Sequence, residues 1–396
     1  MKRLYIILAI IAFVACNQEE LPINGNTDIT IDTSKGYIHF DTATTSRGEL
    51  VTSQYLQGDF AVYGYYYAST WAASYMMAKP NVFDQWPETV HDNGGVYSYE
   101  DPVLWKGYNY SFYAYYPAKA GTITEVITKD TEGEPYITYK IPSSTDPKDY
   151  IDFMTASYID TNANASKTVR LQFHHRLSAI DVGARCFYDY TYEENGVTKS
   201  IPAIIEVAQL RLTFQNLMND SADIYLNKDK GATYTQASSA NQKRQIDLLI
   251  VDGNNYGTHG EATNNVSIAP NKDGDTSIRL LTKGENTMIV LPQTELLKVT
   301  PSMIYYIRIP NDETIPESMR NKYLNGTKDG LQDMPQQFDY TNSFEFDRPL
   351  LEGRRYYIQF NFTSDAVSVN IVAADEWNED INGNGEKDDN IDYEFE

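Results

Sequence analysis

The chain has 396 residues, enough for two domains of common size that each bury their own core. Acidic residues outnumber basic ones by 55 to 32, for a formal net charge of -23, and no basic run follows the contour of a phosphate backbone, which argues against nucleic acid as a partner. The aromatic residues are 32 Tyr, 15 Phe and 4 Trp, and tyrosine favours pleated surfaces where its ring packs and its hydroxyl reaches water, so β structure is expected.

The N-terminus reads as an export signal over residues 1–16. Lys2 and Arg3 precede an apolar run from Leu4 to Val14, then Ala15 and Cys16, and the run is too short for a comfortable membrane span. "FVAC" looks like a bacterial lipobox, in which Cys16 carries acyl chains such as palmitate and becomes the mature N-terminus held in outer-membrane lipid. An ordinary signal peptide with an incidental cysteine is the alternative. Residues 17–47 are expected to be a tether or propeptide holding a first strand, because "NQEELPINGNTDITIDTSK" is polar and has no apolar period. Its acidic start is similar to the export tag of surface lipoproteins in the Bacteroidetes.

The folded body is expected from Gly36, with an N-terminal domain over 36–218 and a C-terminal domain over 219–396. Alternation with period two dominates. In "GYIHFDT" Ile38 and Phe40 share one face, with Tyr37 and His39 opposite. In "DFAVYGYYYAS" Phe60, Val62 and Tyr66 oppose Tyr63, Tyr65 and Tyr67, and "YNYSFYAYYP" groups Tyr108, Tyr110, Phe112 and Tyr116 before Pro117 ends the strand. From Val169 to Ala179 the apolar residues are odd-numbered, and from Ile180 to Cys186 they are even-numbered. A bulge or break at Leu177 to Ile180 explains the slip. "AIIEVAQLRLTFQN" fits a strand pair, and the polar stretch from Leu217 to Arg244 reads as loop. "NTMIVLPQ", "MIYYIRI", "RYYIQFNFT" and "AVSVNIVAA" are the later strands, with short helices expected at Trp71 to Met77 and Glu317 to Tyr323.

Three features invite chemistry. His174 and His175 are adjacent in a chain with five histidines, but neither HExxH nor CxxC accompanies them, and neighbours on a strand point to opposite faces. His175 is therefore expected to pack with Phe173 and Leu177. With only two cysteines, Cys186 has no second body thiol to pair with and is expected as buried filler. "DINGNG" in the acidic tail 378–396 matches the first half of a calcium loop, with oxygen ligands at Asp380, Asn382 and Asn384 and with Glu386 and Asp388 extending the shell. Ile391 stands where the closing glutamate of an EF-hand belongs, and an acidic Asn-Gly turn is the competing reading. Arg47 before Gly48 in "TTSRGEL" is a candidate for a trypsin-like cut.

Together, the Cys16 lipobox, "YSFYAYYP", the F-x-H-x-L core at Phe173, His175 and Leu177, and the strand "GRRYYIQF" with Gly353, Arg354, Tyr356, Ile358 and Phe360 leading to Trp377 resemble the fimbrillin family of the Bacteroidetes. The resemblance implies two tandem transthyretin-like Greek-key β-sandwich domains in a surface lipoprotein without catalytic activity. It also implies assembly with other pilus subunits: an arginine-specific protease cuts at a site matched here by Arg47, and a strand from a neighbour fills the groove left behind. The tail beyond Trp377 is longer than in simple members, and "NIDYEFE" would serve as a donor strand or as part of a calcium-binding appendage. The alternative function is glycan binding through Trp71, Trp86 or Trp105. A glycosidase, needing two carboxylates flanking a cleft, ranks third.

Overall fold

The computed structural model describes residues 36–44, 56, 58–67, 80–105, 109–119, 123–125, 135–142, 149, 151–160, 168–217, 219–227, 232–236, 244–253, 265–272, 277–282, 287–325, 330–374 and 391–395. Among these residues the regular elements are strands, with no α-helix.

The first strands are β1 (His39–Thr44), β2 (Phe60–Tyr67), β3 (Glu88–Asp92), β4 (Tyr97–Ser98) and β5 (Asn109–Tyr116). β6 (Ile123–Glu125), β7 (Tyr136–Lys140), β8 (Met154–Asp160) and β9 (Thr168–His175) follow. All but β6 and β7 form a seven-stranded sheet in the order β1-β9-β8-β5-β2-β3-β4. Its two faces divide as the alternation predicts. Phe60, Val62, Tyr110, Phe112 and Ala114 join Ile38 and Phe40 in one apolar cluster, while Ala61, Tyr63, Tyr65, Tyr113 and Tyr115 enter another.

The chain continues through β10 (Ser178–Phe187), β11 (Asp189–Glu194), β12 (Val197–Pro202) and β13 (Ile204–Leu217). β14 (Asn219–Tyr225) and β15 (Ala232–Gln236) then pair in the four-stranded sheet β15-β14-β7-β6, whose Tyr139 ring lies 6.0 Å from Phe153 beside the seven-stranded sheet. "AIIEVAQLRLTFQN" is therefore one long strand, not a pair. Its fourteen residues carry a register shift between Val207 and Gln209, where both Val207 and Ala208 are buried.

β16 (Arg244–Asp252), β17 (Val266–Ile268), β18 (Arg279–Leu280), β19 (Met288–Val290) and β20 (Lys298–Arg308) come next. β21 (Tyr323–Leu324), β22 (Leu331–Gln332), β23 (Phe338–Tyr340) and β24 (Phe344–Glu345) lead to β25 (Arg355–Thr363), β26 (Val367–Ala374) and β27 (Ile391–Phe395). β13 and β20 centre an eight-stranded sheet; β10, β25 and β26 centre a six-stranded one. These two sheets pack face to face, with Tyr305 against Phe362 at 5.1 Å and Tyr340 against Phe360 at 6.4 Å.

Sheet membership changes between β13 of the eight-stranded sheet and β14 of the four-stranded one, and β14 and β15 carry residues beyond 218 back to β7. It also changes earlier, at Arg176 and Leu177, between β9 and β10. The expected slip at Leu177 to Ile180 is this change of sheet. The segment from Glu317 to Tyr323 is a run of turns, not a helix. Met319 N donates to Pro316 O at 2.9 Å and Lys322 N to Met319 O at 3.2 Å, and Asn321 takes φ 56° before Tyr323 pairs with Arg308. Too few residues separate Pro316 from that left-handed position to nucleate a helix. The expected helix at Trp71 to Met77 lies outside the described residues.

Candidate subunit-interaction site

β1 is the end strand of the seven-stranded sheet, and among the described residues no named strand pairs with its other side. It runs parallel to β9, with His39 opposite Thr168 and Thr44 opposite Phe173. Among the described residues, backbone bonds hold the other flank at its entry. Ile38 N donates to Val103 O at 2.8 Å, Trp105 N to Gly36 O at 2.9 Å, and the Tyr99 hydroxyl to Ile38 O at 2.9 Å. Burial pushes the Tyr99 phenol up to about 12, so it stays a donor at physiological pH.

Beneath the strand the even-numbered side chains fill an aromatic floor. Phe40 meets Phe60 at 5.9 Å, Tyr99 at 5.9 Å and Phe112 at 5.6 Å, in edge-to-face contacts. Ile38 is 1% exposed and Phe40 6%. By area, two such side chains contribute roughly 3–6 kcal/mol to holding β1 in place. Thr42 continues the same parity and hydrogen-bonds to Leu56 and Tyr97. Sequence reading missed Thr42 as a contact residue, although its place two residues after Phe40 in "GYIHFDT" was the available signal. Tyr97, Tyr99 and Leu56 carry no local signal, because their partners are distant in the chain.

The two family-like motifs meet at the change of sheet. β10 lies parallel to β25, with Ile180 opposite Tyr356, and Gly353 N donates to Leu177 O at 2.9 Å. Gly353 has φ 68°, and a Cβ there would sit 3.2 Å from His175 O, so glycine fits on both counts. Ser178 Oγ donates to Leu351 O at 2.8 Å, and the Tyr356 hydroxyl donates to Pro349 O at 2.9 Å while accepting from Leu351 N at 2.8 Å. His175 Nδ1 is 2.7 Å from Asp152 Oδ2, and the buried Arg176 reaches Glu352 Oε1 at 3.1 Å. Further along β10, buried Asp181 accepts from Thr282 and Thr287 and pairs with Arg355 at 2.5 Å.

This arrangement joins sheets. Alternation led to the expectation that Phe173, His175 and Leu177 pack on one side, but Phe173 and Leu177 enter different clusters. Phe173 packs on Phe60 in the cluster beneath β1, and Leu177, after the break, enters the other cluster. His175 lies between them, tied to Asp152. Cys186 is fully buried, its Sγ donating to Ala203 O at 3.1 Å, and burial pushes its thiol up to about 11.

Cys16, Arg47, Gly48, Trp71, Trp377, Asp380, Asn382, Asn384, Glu386 and Asp388 lie outside the described residues. Among the described residues no group of three or more His, Cys, Asp or Glu is placed to hold a metal ion. Trp86 and Trp105 pack against different apolar clusters, Trp105 edge-on to Tyr110 at 4.6 Å, so they form no common platform. The tail strand β27 pairs antiparallel with β26 of the same chain, from Ile371 opposite Ile391 to Val367 opposite Phe395.

A fimbrial protein from Bacteroides vulgatus has a similar fold, with a TM-score of 0.57 and 17% identity, covering 86% of this chain and 99% of its own. The fimbrial anchor protein Mfa2 from Porphyromonas gingivalis matches at 8% identity with a TM-score of 0.32, over 85% of this chain and 96% of its own. None of the curated proteins is a match. The model of the fimbrillin-like family matches residues 58–375, a span that holds both interlocked motifs. The chain belongs to the fimbrillin-like family.

Proposed function

We propose that this chain is a structural subunit, or an accessory tip or anchor protein, of a cell-surface fimbria that supports adhesion. In this reading it is exported as a lipoprotein acylated at Cys16, reaches the outer membrane and folds as two tandem sandwiches. The two face-to-face sheet pairs support that last point. Cleavage between Arg47 and Gly48 then frees β1, and a strand from another subunit takes its place.

One observation carries the strand-replacement step. β1 ends at Thr44, just before Arg47, lies at a sheet edge, and buries Ile38 and Phe40 in an aromatic groove. A strand with those three properties is removable without breaking the sheet behind it, and its loss leaves the β9 edge open to a new strand. Purified precursor treated with an arginine-specific protease is expected to lose its N-terminal segment at Arg47 and to form ladders of oligomers on a denaturant-free gel. Trimmed protein that stays monomeric, alone and with candidate partner subunits, refutes assembly by strand replacement.

A further inference from the structure

Thr42 and Leu56 stand on opposite sides of Arg47 in the sequence and meet in the fold. Leu56 N donates to Thr42 Oγ1 at 3.0 Å, the Tyr97 hydroxyl donates to Leu56 O at 2.6 Å, and Thr42 Oγ1 lies 2.6 Å from the Tyr97 hydroxyl oxygen. A phenol has a single hydrogen, and that of Tyr97 goes to Leu56 O. Thr42 is therefore the donor in the third bond. Its one oxygen both accepts and donates, which at this size only a hydroxyl does. Thr42 is 7% exposed, Leu56 2% and Tyr97 4%, so water does not readily substitute for any member.

We infer that the groove under β1 selects its occupant by side chain, taking an extended segment with an apolar residue, an aromatic residue and a serine or threonine at three alternate positions. This rests on the strand-replacement reading and names the partner that such a groove accepts. The backbone bonds of β1 to β9, Val103 and Trp105 fit any strand, so they set no preference. Ile38 and Phe40 set the first two positions by shape, and the Tyr97 and Leu56 pair sets the third by chemistry. A valine there, close in volume to threonine, leaves Leu56 N and the Tyr97 oxygen without their partner.

The chain's own tail strand does not meet the pattern in the direction of β1. With Ile391 and Tyr393 at the first two positions, Phe395 falls at the third and brings no hydroxyl. Shifting the strand so that Tyr393 takes the third position puts Asp389 into the Ile38 site, where a carboxylate would lose its hydration. The occupant is accordingly a segment of a different subunit with Ser or Thr at the third position.

The test uses the full chain nicked after Arg47 with both pieces retained, and fluorescent peptides that exchange with the resident segment. The probes are the peptide of residues 36–44, its Thr42→Ser and Thr42→Val forms, and the tail peptide of residues 388–396. The Thr and Ser peptides are expected to exchange in, with the Val and tail peptides roughly tenfold weaker or worse. In a Tyr97→Phe chain the difference between Thr and Val peptides is expected to shrink, a change that general loss of packing would not produce. A Val or tail peptide binding as tightly as the Thr peptide overturns the selection alone. If no peptide exchanges, strand replacement itself fails and the selection falls with it.

Discussion

Gly353 shows how much of the architecture can depend on one residue. It holds φ 68°, donates its N–H to Leu177 O, and leaves 3.2 Å between a virtual Cβ and His175 O. Gly353→Ala is expected to destabilise the protein by about 1–3 kcal/mol, because an alanine must adopt the left-handed region and crowd a backbone oxygen that cannot swing away. Urea unfolding of the purified variant measures this, and an unchanged midpoint would show that the turn relaxes freely. The same region shows where residue-level reading succeeds and stops. The glycine and Tyr356 were visible as parts of a motif, and so were His175 and Leu177. That the two motifs bind each other was not visible, because nothing local encodes a contact between residues so far apart in sequence. The Arg176 to Glu352 pair was hidden for the same reason: arginine beside a strand usually reads as a solvated end, and here its side chain is 2% exposed.

At the scale of strands, faces were legible and partners were not. Parity alone paired Ile38 with Phe40, set Phe60 and Val62 against Tyr63 and Tyr65, and paired Tyr110 with Phe112; that the first-named faces meet in one cluster was set by the fold. A period of two reports which side of a strand is apolar, and one slip in it marks a break. It cannot report that the chain leaves one sheet for another at that break. β14 was missed altogether, since Asn219, Asp220, Ser221 and Asp223 made its segment look like loop. Its inward residues Ala222 and Ile224 are fully buried, followed by Leu226 just after the strand. Asp223 also has a fixed role, accepting from Thr138 Oγ1 at 2.7 Å across to β7. Ile224→Ala is expected to cost about 2–4 kcal/mol, the range for truncating a buried aliphatic side chain. A loop residue would cost under about 0.5 kcal/mol, so a denaturant titration separates the strand from the loop.

At the scale of the whole molecule, the distribution of the core makes a statement about cooperativity. Tyr63, Tyr113 and Tyr115 of the seven-stranded sheet belong to the same contiguous cluster as Ile180, Ile358 and Phe360 of the six-stranded sheet. Leu177 and Ala179 enter that cluster where the chain changes sheet, and Arg176 N there donates to Phe153 O at 2.9 Å. Two sandwiches joined only by a linker would unfold separately. Sandwiches that share a core and exchange strands, as β14 and β15 do by returning to β7, should lose their packing together. Two probes lie on opposite sides of the junction. Cys186 is buried in β10, and its thiol, pushed up to about 11, is both protonated and shielded until that sheet opens. Trp105 reports on the cluster beneath β1. In a Cys16→Ser chain that keeps Trp105 as its one tryptophan (Trp71→Phe, Trp86→Phe, Trp377→Phe), thiol alkylation and tryptophan emission are expected to follow one urea transition with a common midpoint. Alkylation that leads or lags the emission change would instead show that each sheet pair is stable without the other, and that the shared cluster couples them too weakly to matter.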